Sequence, residues 1–194
     1  MEGEIGSILA NSNTVLRFGP AEVVARVVDA SFGKPLVTNV LRAQLVEAMI
    51  ALVLEPEWHW CGADYAPCDF ERADGLRLEV KQSAARQSWT TDKPSKAIFD
   101  VAARTGRNEA DGWVEEHGRA AQIYVFGHHP IFDDSADHRD PAQWLFYVVR
   151  TTALPDVKQI ALGTIKTLAL PVQFCALNEA VTVAACHIST ERTA

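Results

Sequence analysis

Asp69, Glu79 and Lys81 are the residues whose types and spacing could do chemistry. Glu79 and Lys81 flank Val80 in a Glu-x-Lys triplet, within the alternating run Leu76-Arg77-Leu78-Glu79-Val80-Lys81. Side chains of an extended strand alternate between faces. Leu76, Leu78 and Val80 therefore point into a core, and Arg77, Glu79 and Lys81 share the opposite face. Upstream, Ala73-Asp74-Gly75 suits a hairpin turn, and a partner strand from about Cys68 to Arg72 would bring Asp69 beside Glu79. Two carboxylates at close range repel each other unless positive charge lies between them. Mg2+ accepts one or two carboxylates and keeps its other positions for water and phosphate oxygens. A bound ion polarises a phosphate and acidifies a bound water. A neighbouring ammonium can orient that water and stabilise charge developing on the phosphate. Asp followed by Glu-x-Lys on a strand is thus a minimal apparatus for metal-assisted phosphodiester hydrolysis. Spacing leaves the first acid open, because Asp64, Glu71 and Asp74 compete with Asp69. Asp74 reads as a turn residue before Gly75, whereas Glu71 shares Asp69's face. The bland alternative for Glu79 and Lys81 is an exposed ion pair, which contributes at most about 1 kcal/mol.

The elements that must position these residues can be read from periodicity. Gly19-Pro20 opens a helix from about Ala21 to Ser31, with Val23, Val24, Val27 and Val28 on one face and Gly33 at its C-terminal cap. A second helix, about Val40 to Leu54, can be capped by Thr38 or Asn39 and is ended by Pro56. Only Arg42, Gln44 and Glu47 break its apolar surface, which predicts burial on most sides. Strands follow at Cys68 to Arg72 and Leu76 to Gln82, then at Ala121 to Gly127 and Trp144 to Arg150. Residues 91–119 show no clear period and are punctuated by Pro94, Gly106, Gly112 and Gly118. The acidic stretch from Asp133 to Asp140 predicts a loop, and the tail predicts helices near Gly163 to Leu170 and Leu177 to Cys186, separated by Pro171. The expected class is α/β (α+β): a mixed sheet flanked by helices.

Asp69 followed by Glu79-Val80-Lys81 resembles the signature of the PD-(D/E)XK, restriction-endonuclease-like nucleases. Glu79-Val80-Lys81-Gln82-Ser83 through Gln87-Ser88-Trp89, Gly118 through Phe126 and Asp140 through Trp144 are similar to an uncharacterised bacterial branch of that superfamily. The order of elements matches from about Val40 to Arg150, so the expectation is one nuclease-like domain over 1–194 with a core at about 40–150. The N-terminal helix and C-terminal helices are additions to that core. One departure is that Cys68, not proline, precedes Asp69, with Pro67 one residue further back. The resemblance implies a central mixed sheet flanked by helices, with the acids and the lysine on two adjacent strands. It favours Asp69 as the first acid and gives a role to Glu47, the lone acidic residue inside an apolar helix. The implied enzyme is a metal-dependent nuclease acting on nucleic acid, DNA above RNA, with Mg2+ or Mn2+. Asp69, Glu79 and the Val80 carbonyl would hold the metal, Lys81 would position the attacking water, and Glu47 would assist. A homodimer would suit cleavage of both strands.

Residues that follow the motif could touch the substrate. Gln82 and Gln87 can bond phosphates or base edges, and Trp89 can stack on a base, although core packing is favoured for Trp89. Arg86, Lys93 and Lys96 are candidate phosphate contacts. Net charge is −7, but eight Lys/Arg and four Asp/Glu lie between Arg72 and Arg107, which concentrates basic character around the motif. A non-cleaving nucleic-acid-binding module on the same fold is the second expectation, and a structural or interaction domain the third. Cys61, Cys68, Cys175 and Cys186 form no CxxC pair and read as idle thiols of a reducing compartment. His128-His129 with Asp133, Asp134, Asp137 and His138 fits no metal spacing and predicts an exposed polar loop. The sequence has no GxxxxGK[ST], GxGxxG or GxSxG motif. The N-terminus does not read as a signal peptide, and the longest apolar run, Ala48 to Leu54, is too short to span a bilayer. A cytoplasmic location without membrane contact is the expectation.

Overall fold

The alternating run around Glu79 forms the central strand of a five-stranded mixed sheet in a computed structural model, which describes residues 18–62, 66–89, 92–109 and 112–193. Two compact units divide the chain, Met1–Lys34 and Pro35–Ala194. In the first, helix α1 spans Pro20–Phe32. Pro20 starts it with a preset φ, and the Glu22 carboxylate accepts the Gly19 N–H at 2.9 Å. The valine face expected for this helix is present but exposed.

The second unit runs, in chain order, α2 (Asn39–Leu54), β1 (Trp58–Trp60), β2 (Phe70–Arg72), β3 (Arg77–Ala84), β4 (Ile98–Asp100), β5 (Arg104–Glu109), β6 (Gly112–Gly118), β7 (Ile123–His129), β8 (Leu145–Arg150), β9 (Gln159–Ala161), α3 (Leu162–Leu168) and α4 (Leu177–Thr193). The sheet order is β1-β2-β3-β7-β8. The β2–β3 hairpin is antiparallel, β3 and β7 are parallel, and β7 and β8 are antiparallel. Gly75 closes the hairpin at φ +79°, a conformation that glycine adopts without Cβ strain, and its N–H reaches the Arg72 carbonyl.

Alternation assigns the two faces. Leu78, Val80, Ile123 and Val125 pack with Val46, Met49 and Ile50 of α2 and Leu177 and Val181 of α4. Burying each such side chain contributes about 1.5–3 kcal/mol. Tyr124, Phe126, Tyr147 and Val149 form a second cluster with Phe99, Val101, Ile160 and Ile165. Helix α2 departs from the expected burial on most sides. Val40 and Leu52 are exposed, while Arg42, read as a break in the apolar pattern, is only 1% exposed.

A parallel pair needs a crossover. The one between β3 and β7 is built from the segment that showed no period. It holds β4, which pairs with the distant β9, and an antiparallel ribbon of β5 and β6. Strand β1, just beyond the cis Glu55–Pro56 peptide, was also not expected. Helix α4 continues beyond Cys186 to Thr193. No helix among the described residues is long and apolar enough to cross a membrane.

Candidate active site

The hairpin register brings the two principal acids together. Phe70 pairs with Leu78 and Glu71 with Arg77, and Asp69, the next residue, lies near enough to Glu79 for their charges to interact. The ladder ends at this step. The Asp69 N–H still reaches the Leu78 carbonyl at 3.1 Å, but the next N–H along that edge, of Val80, is accepted by the Asp69 carboxylate at 2.6 Å. A strand residue's N–H and C=O leave by the same edge, so the Val80 carbonyl is directed to that side as well.

The competing acids are otherwise engaged. Glu71 accepts from Arg77 at 3.0 Å. Asp74 binds Arg72 at 2.8 Å and the Leu76 N–H, and its carboxyl is pulled down to about 2, chiefly by Arg72. Asp64 lies outside the described residues. On the outer face of β3, the Lys81 Nζ donates to Glu79 Oε1 at 2.5 Å, with the side chains 27% and 22% exposed. Glu47 enters from α2, and its carboxylate accepts the Trp60 indole N–H at 3.1 Å.

The three carboxylates sense one another. Asp69 is pushed up to about 7, first by burial and then by the charges of Glu79 and Glu47, against the opposing Val80 bond and Lys81. Burial also raises Glu47, with Glu79 adding to the effect and the Trp60 bond opposing it. Such a cluster favours added positive charge. Among the described residues, no group of three or more His, Cys, Asp or Glu is arranged to hold an ion. Mg2+ accepts as few as one or two carboxylates, with water among its remaining ligands. The hard oxygen donors of Asp69 and Glu79 fit that requirement.

Two recesses flank the acids. One, of about 300 Å³, is lined by Asp69, Glu79, Lys81, Arg104, Trp113 and Tyr124, among others. The second, of about 330 Å³, includes Asn39, Arg42, Glu47, Asp69, Lys81 and Gln82. Asp69 and Lys81 border both.

Sequence reasoning missed Arg42, because its partners come from β3 and the turn beyond it. Its guanidinium donates to Gln82 Oε1 at 2.7 Å, Asn39 Oδ1 at 2.8 Å and Gln87 Oε1 at 3.2 Å. Burial lowers it to about 10. Tyr124 was missed too; it sits opposite Glu79 on β7 and is raised to about 12, by burial and by the Glu79 charge.

The expected substrate contacts separate. Gln82 is held by Arg42 and Asn39, and Gln87 is buried between Arg42 and the Ala84 carbonyl. Trp89 corrects the expectation of core packing: it is 58% exposed and lines a third recess with Arg86 and Phe132. Arg86 pairs with Asp134 at 2.7 Å, and Lys93 and Lys96 are exposed. The histidine loop is less open than expected, because His129 and His138 are fully buried. The four cysteines are free thiols.

No protein-family model matches the chain, and no curated protein matches it either.

Proposed function

We propose that the protein is a metal-dependent nuclease that hydrolyses phosphodiester bonds, in DNA above RNA, on a restriction-endonuclease-like core. The observation that carries this reading is Asp69 beside Glu79, with Lys81 on the Glu79 face and two recesses bordered by Asp69 and Lys81. The mixed sheet supports it: both acids and the lysine come from adjacent strands or their immediate ends, with α2 and α4 packed behind.

Asp69 and Glu79 would hold Mg2+ or Mn2+, with the Val80 carbonyl as a further oxygen. When bound, the ion supplies Lewis-acid polarisation of the phosphate and a more acidic water. Lys81 directs its ammonium at the same space, where it orients the attacking water and offsets charge gathering on the phosphoryl oxygens. Glu47 adds a third negative charge beside Asp69 and can accept a proton from solvent there. Arg42, Gln82 and Gln87 fix the helix against the strand, which holds Glu47 of α2 near the acids of the hairpin.

The test is cleavage of supercoiled plasmid and of single-stranded DNA with Mg2+, Mn2+ or EDTA, for wild type and Glu79→Ala. Metal-dependent cutting that the variant loses is expected. Equal cutting by both proteins would remove Glu79 from the mechanism.

A second reading, a nucleic-acid-binding module that does not cut, draws on one observation. Glu79 is engaged by Lys81, and the Asp69 carboxylate by the Val80 N–H. Salt-sensitive binding without cleavage in any metal would favour it.

A further inference from the structure

The recess beside Glu79 has a wall that belongs to neither the sheet nor its helices. Strands β5 and β6 form a two-stranded ribbon, and its Trp113 lines the recess together with Glu79 and Lys81. The indole is 60% exposed, although tryptophan usually buries most of its large apolar surface. It is nevertheless held in place. Trp113 pairs with Asn108 in the ribbon, and its ring lies across Gly106, where an added Cβ would come within 2.7 Å of the indole Cε2. Glycine at 106 thus permits one face of the ring to rest on the ribbon backbone and leaves the remainder open.

Charges of both signs line the same space, with Asp69, Glu79 and Asp100 facing Lys81, Arg104 and Arg119. Arg119 is tied to the Val101 and Pro155 carbonyls at 2.7 Å each, which fixes its charge in the wall. Arg104 pairs with Asp100 at 2.8 Å while remaining 66% exposed. A volume near 300 Å³ is at the small end of ligand sites. It is of the order needed to seat one nucleotide unit.

We infer that Trp113 is a stacking platform for an unpaired base, so that the site takes single-stranded nucleic acid or a nucleotide released from its duplex. This rests on the nuclease reading for the identity of the polymer. Any base can stack on an indole, so the contact selects for an unpaired base rather than for a sequence. In a duplex each base face is covered by its neighbours, and the indole has nothing to stack on. The ribbon therefore supplies a preference for strand state, which the acids and the lysine cannot supply.

Binding in EDTA isolates this contact from cleavage. The probes are a short fluorescently labelled oligothymidylate, the same strand with one abasic position moved along it, and the strand annealed to its complement. Trp113→Ala is expected to weaken single-strand binding by about five- to a hundredfold. Trp113→Phe should restore most of the affinity. One abasic position should weaken wild type but leave Trp113→Ala nearly unchanged, an effect that ribbon packing alone would not produce. Duplex binding should be equal in wild type and Trp113→Ala. Single-strand binding by Trp113→Ala at the wild-type level, or an absence of single-strand binding by wild type, overturns the inference. Cleavage of the same strand with Mg2+ is measured in parallel. Cutting without dependence of binding on Trp113 sinks the platform and leaves the nuclease. Binding that depends on Trp113 without cutting sinks the nuclease and leaves the platform.

Discussion

Asp69 and Val80 are joined through a side chain where a continued strand ladder would have bonded Val80 to Cys68: the Asp69 carboxylate accepts the Val80 N–H at 2.6 Å, just beyond the last paired residues of β2 and β3. The hairpin opens at this point, and an acid fills the gap. An unpaired buried N–H would cost about 1–3 kcal/mol. The carboxylate satisfies it and thereby fixes its own position beside Glu79. The same residue thus closes the backbone and presents charge to the cleft, so its two roles can be separated by substitution.

Asp69→Asn keeps an oxygen for the Val80 N–H and removes the charge. In the folded chain Asp69 titrates near 7, against an ordinary value of 3.8. Between those values the unfolded chain has lost the proton while the folded chain retains it. Stability should therefore fall as pH rises from about 4 to about 7 and then level off. In EDTA at pH 8 the asparagine variant is expected to be more stable by about 1–2 kcal/mol, an allowance that discounts for partial exposure. The difference should vanish near pH 4. On the proposed metal site, excess Mg2+ at pH 8 should reverse the order, since an ion held by Asp69 and Glu79 would stabilise the wild-type native state above the variant. Urea titrations at both pH values check this, and a variant less stable than wild type at pH 8 in EDTA would refute it.

Lys81→Ala separates chemistry from folding. The ammonium is partly exposed and, among the described residues, its ion pair is with Glu79. Its loss should change stability by less than about 1 kcal/mol. Cleavage should fall by about a hundredfold or more, because the lysine acts where charge develops. Thermal melts with single-turnover cleavage measure both. Wild-type cleavage by the variant would remove Lys81 from the mechanism.

What was legible in the sequence was local. The hairpin announced itself through alternation and the Asp74-Gly75 turn, and those features bring Asp69 beside Glu79. The strands β7 and β8 are apolar enough to read alone. The crossover was not legible, because β4 is three residues long and pairs with β9, some sixty positions later. Gly106, Gly112 and Gly118 read as punctuation, yet they belong to the β5–β6 ribbon. Arg42 looked like a polar interruption of α2. Its burial depends on amide oxygens from Gln82 and Gln87, which helical periodicity cannot reveal. Trp89 and Trp113 are exposed for reasons of tertiary placement, and composition gives tryptophan a prior toward the interior.

His138 gives the fold an acid-sensitive tie. Its Nδ1 accepts the Val37 N–H at 3.0 Å, so Nε2 carries the proton and donates to the Arg86 carbonyl at 3.1 Å. Protonation would break the first bond and place a charge in the core. Burial, with Arg42 and His129 adding positive charge, lowers the ring to about 4 from an ordinary 6.5. The unfolded chain takes up the proton first as pH falls, so stability is lost between about 6.5 and 4. The expected contribution is about 2–3 kcal/mol. Burial lowers His128 and His129 in the same sense, so some slope persists without His138. His138→Gln should make the slope of stability against pH shallower than wild type across this range, as measured by denaturant titration. An unchanged slope would place the acid sensitivity elsewhere.

Arg42 tests whether geometry or charge holds α2 against β3. Its fork meets three amide side chains, Gln82, Gln87 and Asn39, and forms no ion pair of 4.0 Å or less among the described residues. A lysine carries the same charge but cannot present donors in a planar fork. Arg42→Lys should therefore destabilise nearly as much as Arg42→Ala, about 1–3 kcal/mol, because both leave the buried Gln87 amide oxygen without its forked donor. If charge were what mattered, lysine would rescue most of the loss. Gln82 and Lys81 are adjacent on β3, so both variants should also disturb the site. Residual cleavage by folded Arg42→Lys is expected to fall through kcat, with little change in KM, because Glu47 of α2 shifts against the hairpin acids while the Trp113 side of the cleft is untouched. Chemical denaturation of both variants, followed by steady-state cleavage under conditions where each remains folded, decides the matter. Full rescue by lysine would show that the buried fork is dispensable.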